Sequence, residues 1–199
     1  MSYKFESKTN DPQQFYWFKD GLTSEELAKF SNLITDLEYQ EATILGESGS
    51  DGQTQKQVRS SKIKWIPHDK NWDWLYHRFQ EMIVEANHEL WGFELNDIIE
   101  EIQYTEYHAS DKGHYDWHQD IGPGNASLRK ISLTVQLTDS EEYSGGDLEI
   151  WQGGSNTDST PRGSGIVIIF PSYMMHRVSP MTSGIRKSLV LWVGGEHYK

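Results

Sequence analysis

The chain has 199 residues, 36% hydrophobic and 13% aromatic, with no cysteine and a formal net charge of −12. This is enough apolar and ring surface for a buried core, which excludes a disordered chain. The missing cysteines exclude disulfides, thiolate metal sites and cysteine nucleophiles, and the charge disfavours phosphate backbones and anionic membranes as partners.

Residues 1–6 carry no apolar stretch, and no apolar run approaches the ~18 residues of a membrane span, so a cytoplasmic protein is expected. Phe15 to Phe18 reads as a short aromatic strand. Thr23 with Glu26 forms a capping box ahead of Leu27, Phe30, Leu33, Ile34 and Leu37, which recur at helical spacing. Gly46 to Lys56 is polar and rich in Gly, Ser and Gln, and is expected to be a loop. A second helix is predicted from Trp72 to Leu90, with Leu75, Phe79, Met82, Ile83, Ala86 and Leu90 on one face and Gly92 closing it.

From Ile98 the period becomes two, in short runs broken by turn residues: Ile98–Tyr107, Tyr115–His118, Ile131–Thr138, Asp147–Trp151, Gly165–Phe170, Met174–Val178 and Lys187–Val193. Short strands so closely spaced predict a β-sandwich or barrel rather than a parallel sheet. The expected fold is mainly β: two N-terminal helices (residues 1–95) supporting a jelly-roll core (residues 96–199) in a single domain, 1–199. Period alone does not select a jelly roll among sandwiches. Gly145-Gly146 reads as a tight turn, and His68, His77, His88 and His197 as solvated side chains.

The chemistry sits in Tyr115-Asp116-Trp117-His118-Gln119-Asp120. On a strand, residues i and i+2 share a face about 7 Å apart, so a His-x-Asp pair can converge on one ion. The motif alone is more often a surface pair. His114-Tyr115-Asp116 competes, because residues 114, 116, 118 and 120 share one parity. His118 and Asp120 are preferred because Ile121-Gly122-Pro123-Gly124 follows, ending the strand where Asp120 can bend inward. His176, from a distant strand, completes a set of two imidazoles and one carboxylate that leaves coordination positions open, as non-haem Fe(II) requires. Ten residues later, Arg186 can receive the far carboxylate of a chelating keto acid in a bidentate pair.

Tyr-x-x-His-x-Asp, then Tyr143-Ser144-Gly145-Gly146-Asp147-Leu148, then Phe170-Pro171 with the run from His176 to Arg186, resembles the prolyl 4-hydroxylase-like 2-oxoglutarate/Fe(II) dioxygenases, the bacterial PKHD-type hydroxylases in particular. The resemblance covers roughly residues 100 to 193, with Val58-Arg59-Ser60-Ser61 to Trp65 similar to the family's N-terminal support. It implies a double-stranded β-helix fold. It also implies Fe(II) on His118, Asp120 and His176, and 2-oxoglutarate on Arg186 with Tyr107 and Ser132 beside it. O2 would be consumed, succinate and CO2 released, and ascorbate is implied as a reductant. One departure stands out: Tyr107 to Tyr115 is about two residues longer than the family spacing, which predicts a bulge or longer loop.

The implied function is hydroxylation of a C–H bond on a prolyl or other peptidyl side chain, with a free amino acid or small metabolite as the alternative. Tyr115 and Trp192 are candidate substrate contacts, with Trp117 and Trp151 further possibilities, although rings in a sandwich also serve as ordinary core. The polar loop and the stretch before Tyr115 are expected to close over the substrate. A metal-independent ring-lined sandwich would leave Arg186 and the histidines without a role. A base-repair dioxygenase conflicts with the acidic charge.

Overall fold

The computed structural model describes residues 14–42, 57–154 and 156–197; the predicted loop Gly46–Lys56 lies outside them. In chain order the elements are β1 (Tyr16–Phe18), α1 (Ser24–Leu33), β2 (Gln40–Glu41), β3 (Arg59–Ser60), β4 (Lys62–Ile66), α2 (Asp73–Ala86), β5 (Leu95–Ile98) and β6 (Ile102–His108). They continue with β7 (His114–His118), β8 (Arg129–Gln136), β9 (Leu148–Gly153), β10 (Asn156–Ser159), β11 (Val167–Pro171), β12 (His176–Val178) and β13 (Ile185–Gly195). No helix among the described residues is long and apolar enough to cross a membrane.

α1 begins as its sequence dictates. Thr23 Oγ1 accepts the Glu26 N–H at 3.2 Å, and the Glu26 carboxylate accepts the Thr23 N–H at 2.8 Å. α2 buries Leu75, Tyr76, Phe79, Met82, Ile83 and Ala86, a stripe at helical spacing. It ends as an α-helix at Ala86, short of the predicted Leu90, and Asn87–Trp91 continue as one wider π-type turn. The cause is local. The Asn87 amide clamps the Phe93 backbone through Nδ2 at 2.9 Å and Oδ1 at 2.8 Å, and Gly92, at φ +66°, donates to Asn87 O.

The strands form two antiparallel sheets. The larger runs β1-β11-β8-β13-β6-β4-β2, with β5 also on β13; the smaller runs β10-β9-β12-β7-β3. The alternation of β6, β8 and β13 divides their side chains. Ile102, Tyr104, Ile131, Leu133, Val135, Leu189, Leu191 and Val193 pack with the helices. The opposite parity, with Gln103, Thr105, Tyr107, Ser132, Thr134, Gln136, Arg186, Ser188 and Trp192, is also buried, because the second sheet covers it. Leu148 and Ile150 of β9 meet Ile166, Ile168 and Phe170 in an apolar cluster between the sheets. The site lies among the polar side chains of this interior, beside a further apolar cluster of Tyr107, Tyr143, Val178 and Met181.

Two expectations need correction. The predicted strand Ile98–Tyr107 is two strands, because residues 99–101 leave the sheet between β5 and β6. The N-terminal part is more than a helical support: β1, β2 and β4 extend the larger sheet and β3 the smaller. Their runs of two to five residues are too short to show a period.

Candidate metal centre and co-substrate pocket

His118 ends β7, His176 opens β12, and the two are direct cross-strand partners. Asp120 lies just past the strand, its N–H donating to Ser172 O at 2.9 Å. One ligand atom from each of the three residues falls within 4.8 Å of the others. Asp120 Oδ1 is 3.7 Å from His118 Nε2, and Oδ2 is 3.6 Å from His176 Nε2. The other ring nitrogens are held by backbone: His118 Nδ1 lies 2.7 Å from Asp116 O and His176 Nδ1 2.8 Å from Met174 O. A proton on each Nδ1 leaves both Nε2 lone pairs facing the carboxylate. Ser132 Oγ donates to Asp120 Oδ2 at 2.6 Å and meets Ser172 Oγ at 2.9 Å.

Electrostatics set the matching protonation states. Burial, then the neighbouring His176, push the His118 imidazole well below its ordinary range, toward the neutral form. Burial alone would raise Asp120, but His176, His118, Arg129 and the Ser132 hydroxyl outweigh it and keep the carboxylate ionised. A neutral imidazole and an ionised carboxylate are the states a divalent metal binds.

The equal parity assigned to residues 114–120 fails. Between the pairs His176–His118 and Val178–Tyr115, three steps on β7 oppose two on β12, a β-bulge. The extra residue turns Tyr115 onto the His118 side, where the two rings stack at 3.5 Å and 15°. His114 faces away, its ring nitrogens taken up by Lys112 O at 2.8 Å and Gln57 O at 3.0 Å. It is not part of the group. His108 also stands apart, bonded to Glu106 on the opposite face of β6 from Tyr107. His68, His77, His88 and His197 are exposed, as expected.

Arg186 is 1% exposed, and among the described residues no carboxylate meets it. Its NH1 reaches Ser188 Oγ at 3.3 Å, while Nε and NH2 are buried without an acceptor. Nearby, both amide atoms of Gln136 and the Tyr143 hydroxyl are also buried and unpartnered. Gln136 pairs with Ser188 across β8 and β13, on the Arg186 face. The Arg186 Cδ and Tyr143 Cε2 both lie against the space where a Cβ on Gly146 would stand. Buried donors stay unpaired in a native interior only where something else satisfies them. A guanidinium, an amide N–H and a phenol converging from three elements are the donor set for a carboxylate. Gly145 and Gly146 do make a tight turn, at φ +70° and +64°, and the missing Cβ of Gly146 also leaves room for Met181 and Arg186.

Tyr107 lies beneath Arg186, whose Cζ is 5.5 Å from its ring centre, so the structure brings these two together. Ser132 stands at the metal end, committed to Asp120 rather than to the Arg186 end. The extra residues before Tyr115 form a compact turn, Ala109–Asp111, with Lys112 at φ 49°. It is tied down where a mobile loop was expected: Ala109 N–H reaches Gly184 O, Gly113 N–H reaches His108 O, and Met181 N–H reaches Gly113 O. Trp192 is buried with an unpartnered indole N–H, and Arg129 lies 3.9 Å over its ring. Trp117 carries Arg177 at 4.8 Å over its ring, and Trp151 is 44% exposed.

Gln136 and Tyr143 were not read from the sequence as site residues. Ser132, Thr134 and Gln136 look there like the wet side of a half-buried strand, and nothing local says that a second sheet covers them.

With this geometry in view, residues 102–194 match the family model of the 2OG-Fe(II) oxygenase superfamily. The match takes in a little under half of the chain, which over these residues is similar to that superfamily. The span runs from the start of β6 into β13 and contains all three members of the His-Asp-His group together with Arg186. The chain is 40% identical over 84 residues to a PKHD-type hydroxylase of Synechococcus sp. strain CC9311, covering 41% of this chain and 37% of that protein. It is 42% identical over 74 residues to a PKHD-type hydroxylase of Hyphomonas neptunium, covering 37% and 33%. The match thus spans little more than a third of these relatives' length. The fold is similar to a Trichoplax adhaerens prolyl hydroxylase solved with a hypoxia-inducible-factor peptide, at TM-score 0.73 and 18% identity over 92% of this chain and 84% of that one. It is also similar to a Pseudomonas putida prolyl-4-hydroxylase, at TM-score 0.68 and 16% identity over 92% and 93%.

Proposed function

We propose that this protein is a 2-oxoglutarate- and Fe(II)-dependent dioxygenase that hydroxylates a C–H bond of a peptidyl side chain. The observation that carries the reading is the convergence of His118, Asp120 and His176 beside a buried Arg186 whose donors have no acceptor. In this reading one domain spans the chain, and its two sheets form a jelly roll in which β1, β2 and β4 extend the larger sheet. Prolyl hydroxylases among the structural neighbours favour a peptide substrate, proline first. A cysteine-free chain accords with a reducing, cytoplasmic setting.

His118 Nε2, Asp120 Oδ1 and His176 Nε2 would hold Fe(II), and Arg186, Gln136 and Tyr143 the distal carboxylate of 2-oxoglutarate. The metal with its co-substrate supplies oxygen activation, ascorbate serving as a reductant that keeps iron in the ferrous state. The balance is R–H + O2 + 2-oxoglutarate → R–OH + succinate + CO2, one oxygen atom entering each of the first two products. The chain's own contribution is position and dryness. The Asp116 and Met174 carbonyls fix the imidazoles, Ser132 fixes Asp120, and the apolar cluster of Leu148, Ile150, Ile168 and Phe170 keeps water from one side. Tyr107 supports the Arg186 head, and Tyr115, stacked on His118, and Trp192 would touch the bound substrate.

The test is succinate formation from 2-oxoglutarate by the Fe(II)-loaded protein without substrate, followed by a mass-shift screen of proline-containing peptides. If the protein binds Fe(II) and 2-oxoglutarate but forms no succinate alone, with any peptide or with any free amino acid, the dioxygenase reading fails, and turnover of free amino acids alone overturns only the peptide substrate.

A further inference from the structure

The chain has six arginines, all among the described residues. Four meet carboxylates: Arg78 with Glu26 and Glu81, Arg129 with Glu100, Arg162 with Asp147 and Arg177 with Glu149. Two do not. Arg186 is accounted for by the co-substrate, which leaves Arg59.

Arg59 is only 7% exposed. It opens β3 opposite Tyr115, and its side chain enters the space between the sheets. Nε donates to Ser61 Oγ at 2.9 Å and NH2 to Gln103 Oε1 at 2.7 Å. Both partners are neutral. Its Cζ lies 4.8 Å from the centre of the Tyr115 ring, and that ring is stacked on His118. One aromatic ring therefore separates a guanidinium with no carboxylate partner among the described residues from a candidate metal ligand.

The charge balance sharpens the point. Fe(II), Asp120, the 2-oxoglutarate dianion and Arg186 sum to zero, so Arg59 leaves the loaded site with one positive charge. A buried charge with neutral partners alone is costly, and an anion is its strongest complement. Among the described residues no carboxylate meets Arg59.

We propose that Arg59 anchors a carboxylate carried by the substrate, so that the oxidised carbon belongs to an amino acid, free or at a peptide end, whose carboxylate is unblocked. This rests on the dioxygenase reading above and moves its substrate from an internal peptide position to an amino acid or peptide end with a free carboxylate. An internal peptide carbonyl could accept a hydrogen bond from Arg59 but would leave the charge standing.

The experiment compares acid and amide pairs: each of the twenty free amino acids with its carboxamide, and N-acetylated dipeptides ending in each residue as acid and as amide. Hydroxylation is read by mass shift, and binding by calorimetry on Mn(II)-loaded protein with 2-oxoglutarate. At least one acid is expected to bind and be hydroxylated, on the order of 100-fold better than its amide. In Arg59→Gln that acid-to-amide ratio should fall toward one, and Arg59→Lys should restore part of it. Because the ratio is taken within each variant, a general loss of folded protein does not imitate the effect. The free and peptide arms separate the two sources of the carboxylate. Equal use of acid and amide, a ratio unchanged in Arg59→Gln, or no binding or hydroxylation of any acid in the panel would overturn the proposal. Succinate formation without substrate tells such a failure apart from failure of the dioxygenase reading.

Discussion

Ser132 reaches across from the larger sheet and donates its hydroxyl to Asp120 at 2.6 Å. The carboxylate therefore has an oxygen tethered from the opposite sheet as well as its own backbone anchor at Ser172. Ser132→Ala should weaken metal binding by roughly 10–100-fold, the usual cost of removing a group that orients a ligand. The checks are the Fe(II) requirement for succinate formation and a calorimetric titration with Mn(II). Unchanged affinity for both ions would remove Ser132 from the centre.

The bulge in β7 makes a second prediction. His118→Ala, Asp120→Ala and His176→Ala should each abolish Fe(II)-dependent succinate formation while the circular dichroism spectrum persists. His114→Ala should keep activity and metal affinity within about two-fold, because its ring points to backbone carbonyls outside the group. Loss of iron in His114→Ala with retention in His118→Ala would mean that the strand register is wrong.

The unpartnered donors around Arg186 lead to a third. Arg186→Ala should raise the 2-oxoglutarate requirement by orders of magnitude, about 3–5 kcal/mol of lost pairing, with little change in metal affinity. Arg186→Lys keeps charge without the fork and should retain part of the affinity. Gln136→Leu removes one hydrogen bond to the carboxylate and should cost about 1.5–3 kcal/mol of 2-oxoglutarate binding. An unaltered dependence on 2-oxoglutarate in Arg186→Ala would exclude this pocket.

Glu106 offers a test away from the site. Burial would raise its carboxyl, but hydrogen bonds from Tyr104, Tyr39 and His108, with Lys187 beyond them, outweigh burial and hold it below the ordinary carboxylate range. A depressed carboxylate contributes stability above its unfolded value and loses it as pH falls through the folded one. Melting temperature should therefore drop on acidification from about pH 5 downward, and Glu106→Gln should flatten that part of the profile while lowering stability at pH 7. A profile identical to that of the wild-type chain would show that Glu106 carries none of the acid sensitivity.

Much of this protein is local enough to be written in its sequence. The Thr23–Glu26 cap, the buried stripe of α2 and the strand runs follow from spacing, because each depends on neighbours within one turn or one pleat. The order of His118, Asp120, His176 and Arg186 was legible for the same reason: the chemistry needs those residue types, and the strand order fixes their separations. The choice of His118 over His114 was not decided by parity, since one extra residue in β7 reverses which side chains face inward. Gln136, Tyr143 and Arg59 were also beyond local reading. Each is an ordinary polar residue in its own segment and becomes a buried, unsatisfied donor or charge only when the second sheet closes over it. Burial of a polar side chain is a property of two sheets together, and for that reason the tertiary structure alone decided which of these residues face the site.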